Sequence, residues 1–186
     1  MPQHRVCPWW LGYWLASPLR RLWHDPGRIL APYVHSGMTV VEPGPGMGFF
    51  TLELARMVGP SGRVVAADIQ PEMLERLRHR LAKAGLDGHV ECRQAEPYSL
   101  GLADLAGAAD FVLAFAVVHE MPAPGVFFEE AARTLKRHGG LLLVEPAGHV
   151  QDLEFAGELR QAESAGFRRT AQPAIRRSRA ALLERV

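Results

Sequence analysis

Runs of apolar residues alternate with amphipathic stretches over most of this chain, and that alternation predicts an α/β architecture. Residues 39–42, 63–68, 89–93, 110–115 and 141–145 read as strands. They are apolar almost throughout rather than at every second position, which marks strands of a parallel sheet covered on both faces. The intervening stretches read as helices over about residues 48–57, 71–84, 125–136 and 153–165. In the second of these, Met73, Leu74, Leu77 and Leu81 recur at helical spacing and predict a buried stripe. Ahead of the first strand, Asp25 followed by Pro26 predicts an N-cap and first helical residue for a helix to about Tyr33. Residues 167–174 and 177–186, with Pro173 between them, read as two terminal strands. No internal repeat or low-complexity segment interrupts this order.

The most informative stretch joins the first strand to its helix: Val40-Val41-Glu42-Pro43-Gly44-Pro45-Gly46-Met47-Gly48-Phe49-Phe50-Thr51. Alternate glycines let the main chain turn tightly and approach a ligand with no Cβ in the way, and a helix start beyond them offers unpaired N–H groups. A dinucleotide-binding loop has the spacing Gly-x-Gly-x-x-Gly. Here Phe49 stands where that pattern wants its third glycine, and Glu42 would repel a pyrophosphate while suiting a cationic ligand. A nicotinamide-dependent oxidoreductase is therefore disfavoured. The stretch resembles motif I of the class I S-adenosylmethionine-dependent methyltransferases, whose ligand carries a sulfonium, an ammonium and a carboxylate but no phosphate. The resemblance covers about residues 36–186 and is to small stand-alone members, of the type that includes quinone-biosynthesis enzymes. It implies a Rossmann-like doubly wound sheet of five parallel strands plus a C-terminal antiparallel pair, in the order 3-2-1-4-5-7-6, with helices on both faces. It also implies S-adenosylmethionine as cofactor, S-adenosylhomocysteine as product and a small-molecule methyl acceptor.

In open α/β sheets, ligands bind at the carboxyl ends of the strands, so candidate site residues are those that follow each strand. Gly44, Pro45, Gly46 and Gly48 form the loop, and Glu42 is matched to the ammonium of the methionine part. Asp68, at the end of the second strand, can accept from both ribose hydroxyls, its alternative role being a cap for the helix at Pro71. Ile69 is placed to pack on the adenine face. Gln94-Ala95-Glu96 follows the third strand, and many relatives carry an acidic residue where this chain has Gln94. The Gln94 amide oxygen can still accept from the adenine amino group, while the Ala95 N–H can donate to the ring. The fourth strand ends Ala114-Phe115, two further residues given to the cofactor, and runs into His119-Glu120 where methyl acceptors lie in the family. Histidine titrates near neutrality, so His119 could act as a general base, with Glu120 and His149 beside it, or could simply cap its loop. Glu145 ends the neighbouring strand and converges on the same side. No standard zinc spacing is present, and the catalytic set is read without a metal.

Composition narrows partners more than chemistry. At 186 residues and 48% hydrophobic, the chain suits one domain with a full core. A net charge of +1 gives no reason to expect a polyanion, and the Asn/Asp-Pro-Pro-Tyr/Phe motif of base-modifying methyltransferases is missing after the fourth strand, so nucleic acid is disfavoured. Five arginines, Arg168, Arg169, Arg176, Arg177 and Arg179, read as a solvated face. The two cysteines, Cys7 and Cys92, form no disulfide framework, which suits a reducing cytoplasm. Residues 1–35 precede the methyltransferase-like part, and their apolar portion is too short to span a bilayer and is followed at once by Arg20 and Arg21. Trp9, Trp10, Tyr13 and Trp14 suit a lid over the acceptor site, with a membrane-surface contact or a homodimer contact as alternatives. Transfer to a small molecule is the leading reading. A protein that binds the cofactor without transferring its methyl group, or a peripheral membrane enzyme acting on a lipid or quinone-like acceptor, stays open beside it.

Overall fold

A computed structural model describes residues 24–186 of the chain, so Trp9, Trp10 and Trp14 lie outside the described residues. The first described helix, α1 (Pro26–Leu30), is capped by Asp25, whose carboxylate accepts from Gly27 N–H at 3.0 Å and Arg28 N–H at 3.4 Å. Its Leu30, and Val34 just beyond, are buried in the core, which ties residues 24–35 to the sheet.

Seven strands follow among the described residues: β1 (Thr39–Pro43), β2 (Arg63–Asp68), β3 (Val90–Gln94), β4 (Ala109–Phe115), β5 (Leu135–Pro146), β6 (Phe167–Ala171) and β7 (Ser178–Arg185). They form one sheet in the order β3-β2-β1-β4-β5-β7-β6, with β3 to β5 parallel to one another and β7 antiparallel to both β5 and β6. The helices are α2 (Thr51–Val58), α3 (Pro71–Ala84), α4 (Pro124–Thr134) and α5 (Asp152–Ser164). The expected sheet is present, with its expected strand order.

Strand alternation sorts the apolar residues onto two faces. Val40, Val64, Phe111, Leu113, Leu142 and Val144 pack with α1 and α2 through Leu30, Leu54 and Val58, while Leu74, Leu77 and Leu81 of α3 cover Ala66 on the same side. Val41, Val65, Val112, Leu141 and Leu143 face α4 and α5 instead, through Phe127, Phe128, Ala131, Phe155 and Ala162. Burying each such leucine or phenylalanine contributes about 1.5–3 kcal/mol. The two layers together fix where the carboxyl ends of β1, β2 and β4 meet.

Several boundaries depart from the sequence expectation. α2 begins at Thr51 rather than near Gly48, because Gly48 has φ +84°, outside the helical range, and closes a turn through its N–H to Pro45 O. α4 ends at Thr134, since Leu135 pairs with Ala109 and enters the sheet as the first residue of β5. β6 stops at Ala171, and β7 starts at Ser178.

Candidate active site

The loop after β1 is pinned to the end of β2 at two points. Gly44 N–H donates to Ala67 O at 2.9 Å, and Gly46 N–H donates to Asp68 Oδ2 at 3.3 Å. The other Asp68 oxygen accepts from Gln70 N–H at 2.9 Å. Gly44 adopts φ +63°, and a Cβ there would come within 2.5 Å of Val117 Cγ2, so only glycine lets the loop lie against the segment after β4. Arg80 of α3 donates to Met47 O and holds the far side of the loop.

These segments enclose a cavity of about 390 Å³ at the carboxyl edge of the sheet. Of the residues expected to hold a cofactor, Gly44, Pro45, Gly46, Asp68, Ile69, Ala95, Glu96 and Phe115 line it. Glu42, Gly48, Gln94 and Ala114 do not: Glu42 and Ala114 are buried within the sheet, Gly48 lies under α3, and Gln94 faces outward at the end of β3. The Ala95 N–H, expected to meet adenine, donates to Asp68 O at 2.9 Å as the ladder continues past β3. Burial pushes the Asp68 carboxyl up to about 6, against the lowering effect of its N–H donors, and the Glu120 charge adds to the rise.

Glu120 lines the cavity, whereas His119 and His149 do not. Residues Val118–Glu120 form a single helical turn after β4. Glu145, wholly buried at the end of β5, caps that turn by accepting from Val118 N–H at 2.9 Å and His119 N–H at 3.3 Å. Its second oxygen is hydrogen-bonded to His119 Nδ1, leaving Nε2 directed at Glu120, 3.9 Å away. Burial favours the neutral ring, but the Glu145 hydrogen bond and the charges of Glu145, Glu120 and Glu158 outweigh it and hold the His119 pKa above its usual value. His149 lies on the exposed loop beyond β5, its ring 6.1 Å from that of His119.

Two residues escaped the sequence reading. Glu130 on α4 lines the cavity and accepts from Leu100 N–H at 2.8 Å and Leu102 N–H at 3.0 Å, fixing the loop that carries Tyr98. Glu158 on α5 is buried beside Glu145 and His119 with Oε2 unbonded, and burial raises its pKa to about 8. Neither position carries a local signal, because each is one polar residue on a half-polar helix. Among the described residues, no group of His, Cys, Asp and Glu is arranged to hold a metal ion.

A methyltransferase-domain family model matches residues 34–176. The chain is similar to the ubiquinone/menaquinone biosynthesis C-methyltransferase UbiE of Pseudomonas fluorescens, at 33% identity over 146 residues, 76% of this chain and 51% of that protein. The UbiE protein of Pseudomonas paraeruginosa is 35% identical over 146 residues, with the same coverage of 76% and 51%. The chain thus spans about half the length of the curated relatives it matches. Among solved structures it is similar to a SAM-dependent methyltransferase from Aquifex aeolicus, with 27% identity and a TM-score of 0.84, covering 96% of this chain and 98% of that one.

Proposed function

The chain belongs to the class I S-adenosylmethionine-dependent methyltransferases, and from that membership we propose that it binds S-adenosylmethionine in the cavity and transfers the methyl group to a small-molecule acceptor. The observation that carries this reading is Asp68. It is buried on the cavity wall with both oxygens steered by Gly46 and Gln70 N–H groups, and its remaining acceptor directions suit a vicinal pair of hydroxyls. A desolvated carboxylate with a raised pKa gains most from such donors. Ile69 and Met73 offer apolar surface beside it for a purine face, and the main chain at Gly46, where a Cβ would meet nothing within 4 Å, leaves room for a methionine tail. Glu42, behind the loop, acts on an ammonium only indirectly in this reading.

When bound, S-adenosylmethionine supplies an electrophilic methyl group on a sulfonium. The protein's part in an in-line displacement is to orient the acceptor and to exclude water. Phe115, Val117 and Met121 do the second, and Glu120 is placed to do the first. The names of the UbiE relatives put a quinone precursor among the acceptors to be tried.

Calorimetry with purified protein tests the donor assignment. S-adenosylhomocysteine should bind with a micromolar-scale dissociation constant and NAD should not, because Phe49 fills the cavity wall where a dinucleotide loop needs its third glycine. Asp68→Ala should weaken binding by about 2–3 kcal/mol while the protein stays folded. Binding of NAD without S-adenosylhomocysteine would overturn the reading.

A further inference from the structure

Asp68, Ile69 and Met73 form the wall proposed for the nucleoside end of the donor, and residues 95–100 form the wall beside it, because β3 lies next to β2 in the sheet. The tip of this second wall is a turn closed on itself, with Glu96 N–H donating to Ser99 O at 2.8 Å and Ser99 N–H to Glu96 O at 3.2 Å. These bonds fix the shape of the turn but not its place over the cavity. Arg93 ties Gly101 O from the outside at 2.6 Å, and Glu130 of α4 supplies the tie from the cavity side. Glu130 Oε2 accepts from Leu100 N–H at 2.8 Å, while Oε1 accepts from Leu102 N–H at 3.0 Å and from the Ser99 hydroxyl at 3.3 Å. Gly101, at φ +67°, stands between the two main-chain donors. The loop thus makes a concave anion site, already filled by a carboxylate of the same chain.

We propose that Glu130 is a positioning residue for the donor: it holds the 95–100 wall where that wall closes the nucleoside end of the cavity, so affinity for the purine depends on a side chain whose oxygens are engaged by the loop. This rests on the reading of the cavity as a donor site. A carboxylate suits three converging donors, since both its oxygens accept and neither carries a hydrogen. A glutamine would turn its NH2 group toward one of these donors, and an alanine would leave all three without this partner. Leu100 and Leu102 are 8% and 1% exposed, so their N–H groups then have little water to turn to and the loop must shift to find other acceptors. A wall shifted from a flat ring by about 0.5–1 Å forfeits a quarter to a half of its dispersion contact. The amino-acid end of the donor, at the glycine loop, is unaffected.

The test uses S-adenosylhomocysteine and 5′-methylthioadenosine, which keeps the nucleoside and lacks the amino-acid part. Both are titrated by calorimetry into the native chain, Glu130→Ala and Glu130→Gln, with thermal melts to establish that each is folded. Glu130→Ala should weaken both ligands by the same factor, about tenfold, and Glu130→Gln should weaken both by about threefold. Acetate supplies the atoms that Glu130→Ala removes, so added sodium acetate should restore most of the affinity of that variant, an equal concentration of sodium chloride should not, and neither salt should strengthen binding by the native chain. A glutamate needed only for the fold would lower the melting temperature and leave both affinities unchanged. That outcome, a loss confined to S-adenosylhomocysteine, or a Glu130→Ala protein indifferent to acetate would each overturn the proposal. If Glu130→Ala does not fold, Glu130→Gln decides, and undiminished affinity in that variant overturns it equally. A native chain that binds neither ligand overturns the methyltransferase reading of the cavity itself, and the role of Glu130 with it.

Discussion

At the scale of single residues, two buried carboxylates have opposite tasks. Asp68 lines the cavity, where the proposed reading gives it a ribose contact, and burial is the main cause that pushes its carboxyl up to about 6. Only the carboxylate accepts from two hydroxyls, and ligand binding therefore competes with protonation. Affinity for S-adenosylhomocysteine should fall as the pH drops through about 6, approaching tenfold per unit below it, with Asp68→Asn abolishing the dependence. Calorimetry across that range measures it, and an affinity independent of pH in the native chain would remove Asp68 from the ribose contact. Glu145 is held for the protein itself. It satisfies two buried N–H groups and the His119 ring, so Glu145→Ala should destabilise the fold by about 3 kcal/mol, read from denaturant melts.

At the scale of elements, the site depends on how closely the β1–α2 loop approaches the segment after β4. Gly44→Ala sets a Cβ 2.5 Å from Val117 Cγ2 at a φ of +63°, and should lower stability by about 1–3 kcal/mol. Adding Val117→Ala relieves the clash but leaves the backbone strain, so the double variant should recover part of the loss in thermal melts. Full recovery would mean that the positive φ costs nothing. The glycine pattern was legible in the chain, but the partner it approaches was not, since Val117 is remote in sequence and is brought there by the parallel pairing of β1 with β4. The end of α4 is a similar case. Its apolar periodicity runs on to Lys136, and the helix yields at Thr134 because Leu135 finds a strand partner in Ala109.

At the scale of the whole molecule, buried ionisable groups shape stability against pH. Glu158, in α5, is raised to about 8, first by burial, then by the Glu145 charge, with His119 opposing and Glu154 adding to it. Between the ordinary value of 4.5 and about 8, the folded chain keeps a proton that the unfolded chain has lost. Stability therefore falls as the pH rises through that window and levels off above it. The raised His119 pKa acts in the same direction, because its stabilisation is present below the ordinary 6.5 and lost as the pH rises through the folded value. Asp68 adds to the slope between 3.8 and about 6. Glu158→Gln should flatten the curve and be the more stable protein at about pH 8, by roughly 1–3 kcal/mol in denaturant melts. A variant less stable than the native chain at that pH would show Glu158 to be a needed charge.

The sequence by itself determined the layers and the family, and marked most of the segments that line the cavity. Strands apolar on both faces require helices on both faces, and the alternate glycines before a helix, followed by a carboxylate at the next strand end, mark the segments that line the cavity proposed for the cofactor. These are local signals, written in spacing along one segment. Tertiary structure decided the rest: that Asp68 accepts from Gly46 in the glycine loop as well as from Gln70 at the start of α3, that Ala95 gives its N–H to the sheet, and that Glu120 lines the cavity while His119 and His149 do not. It also placed Glu130 under the loop after β3 and Glu158 against Glu145. The physical reason is that a side chain's charge state and direction depend on what is packed around it, and those neighbours come from strands and helices far apart in the chain.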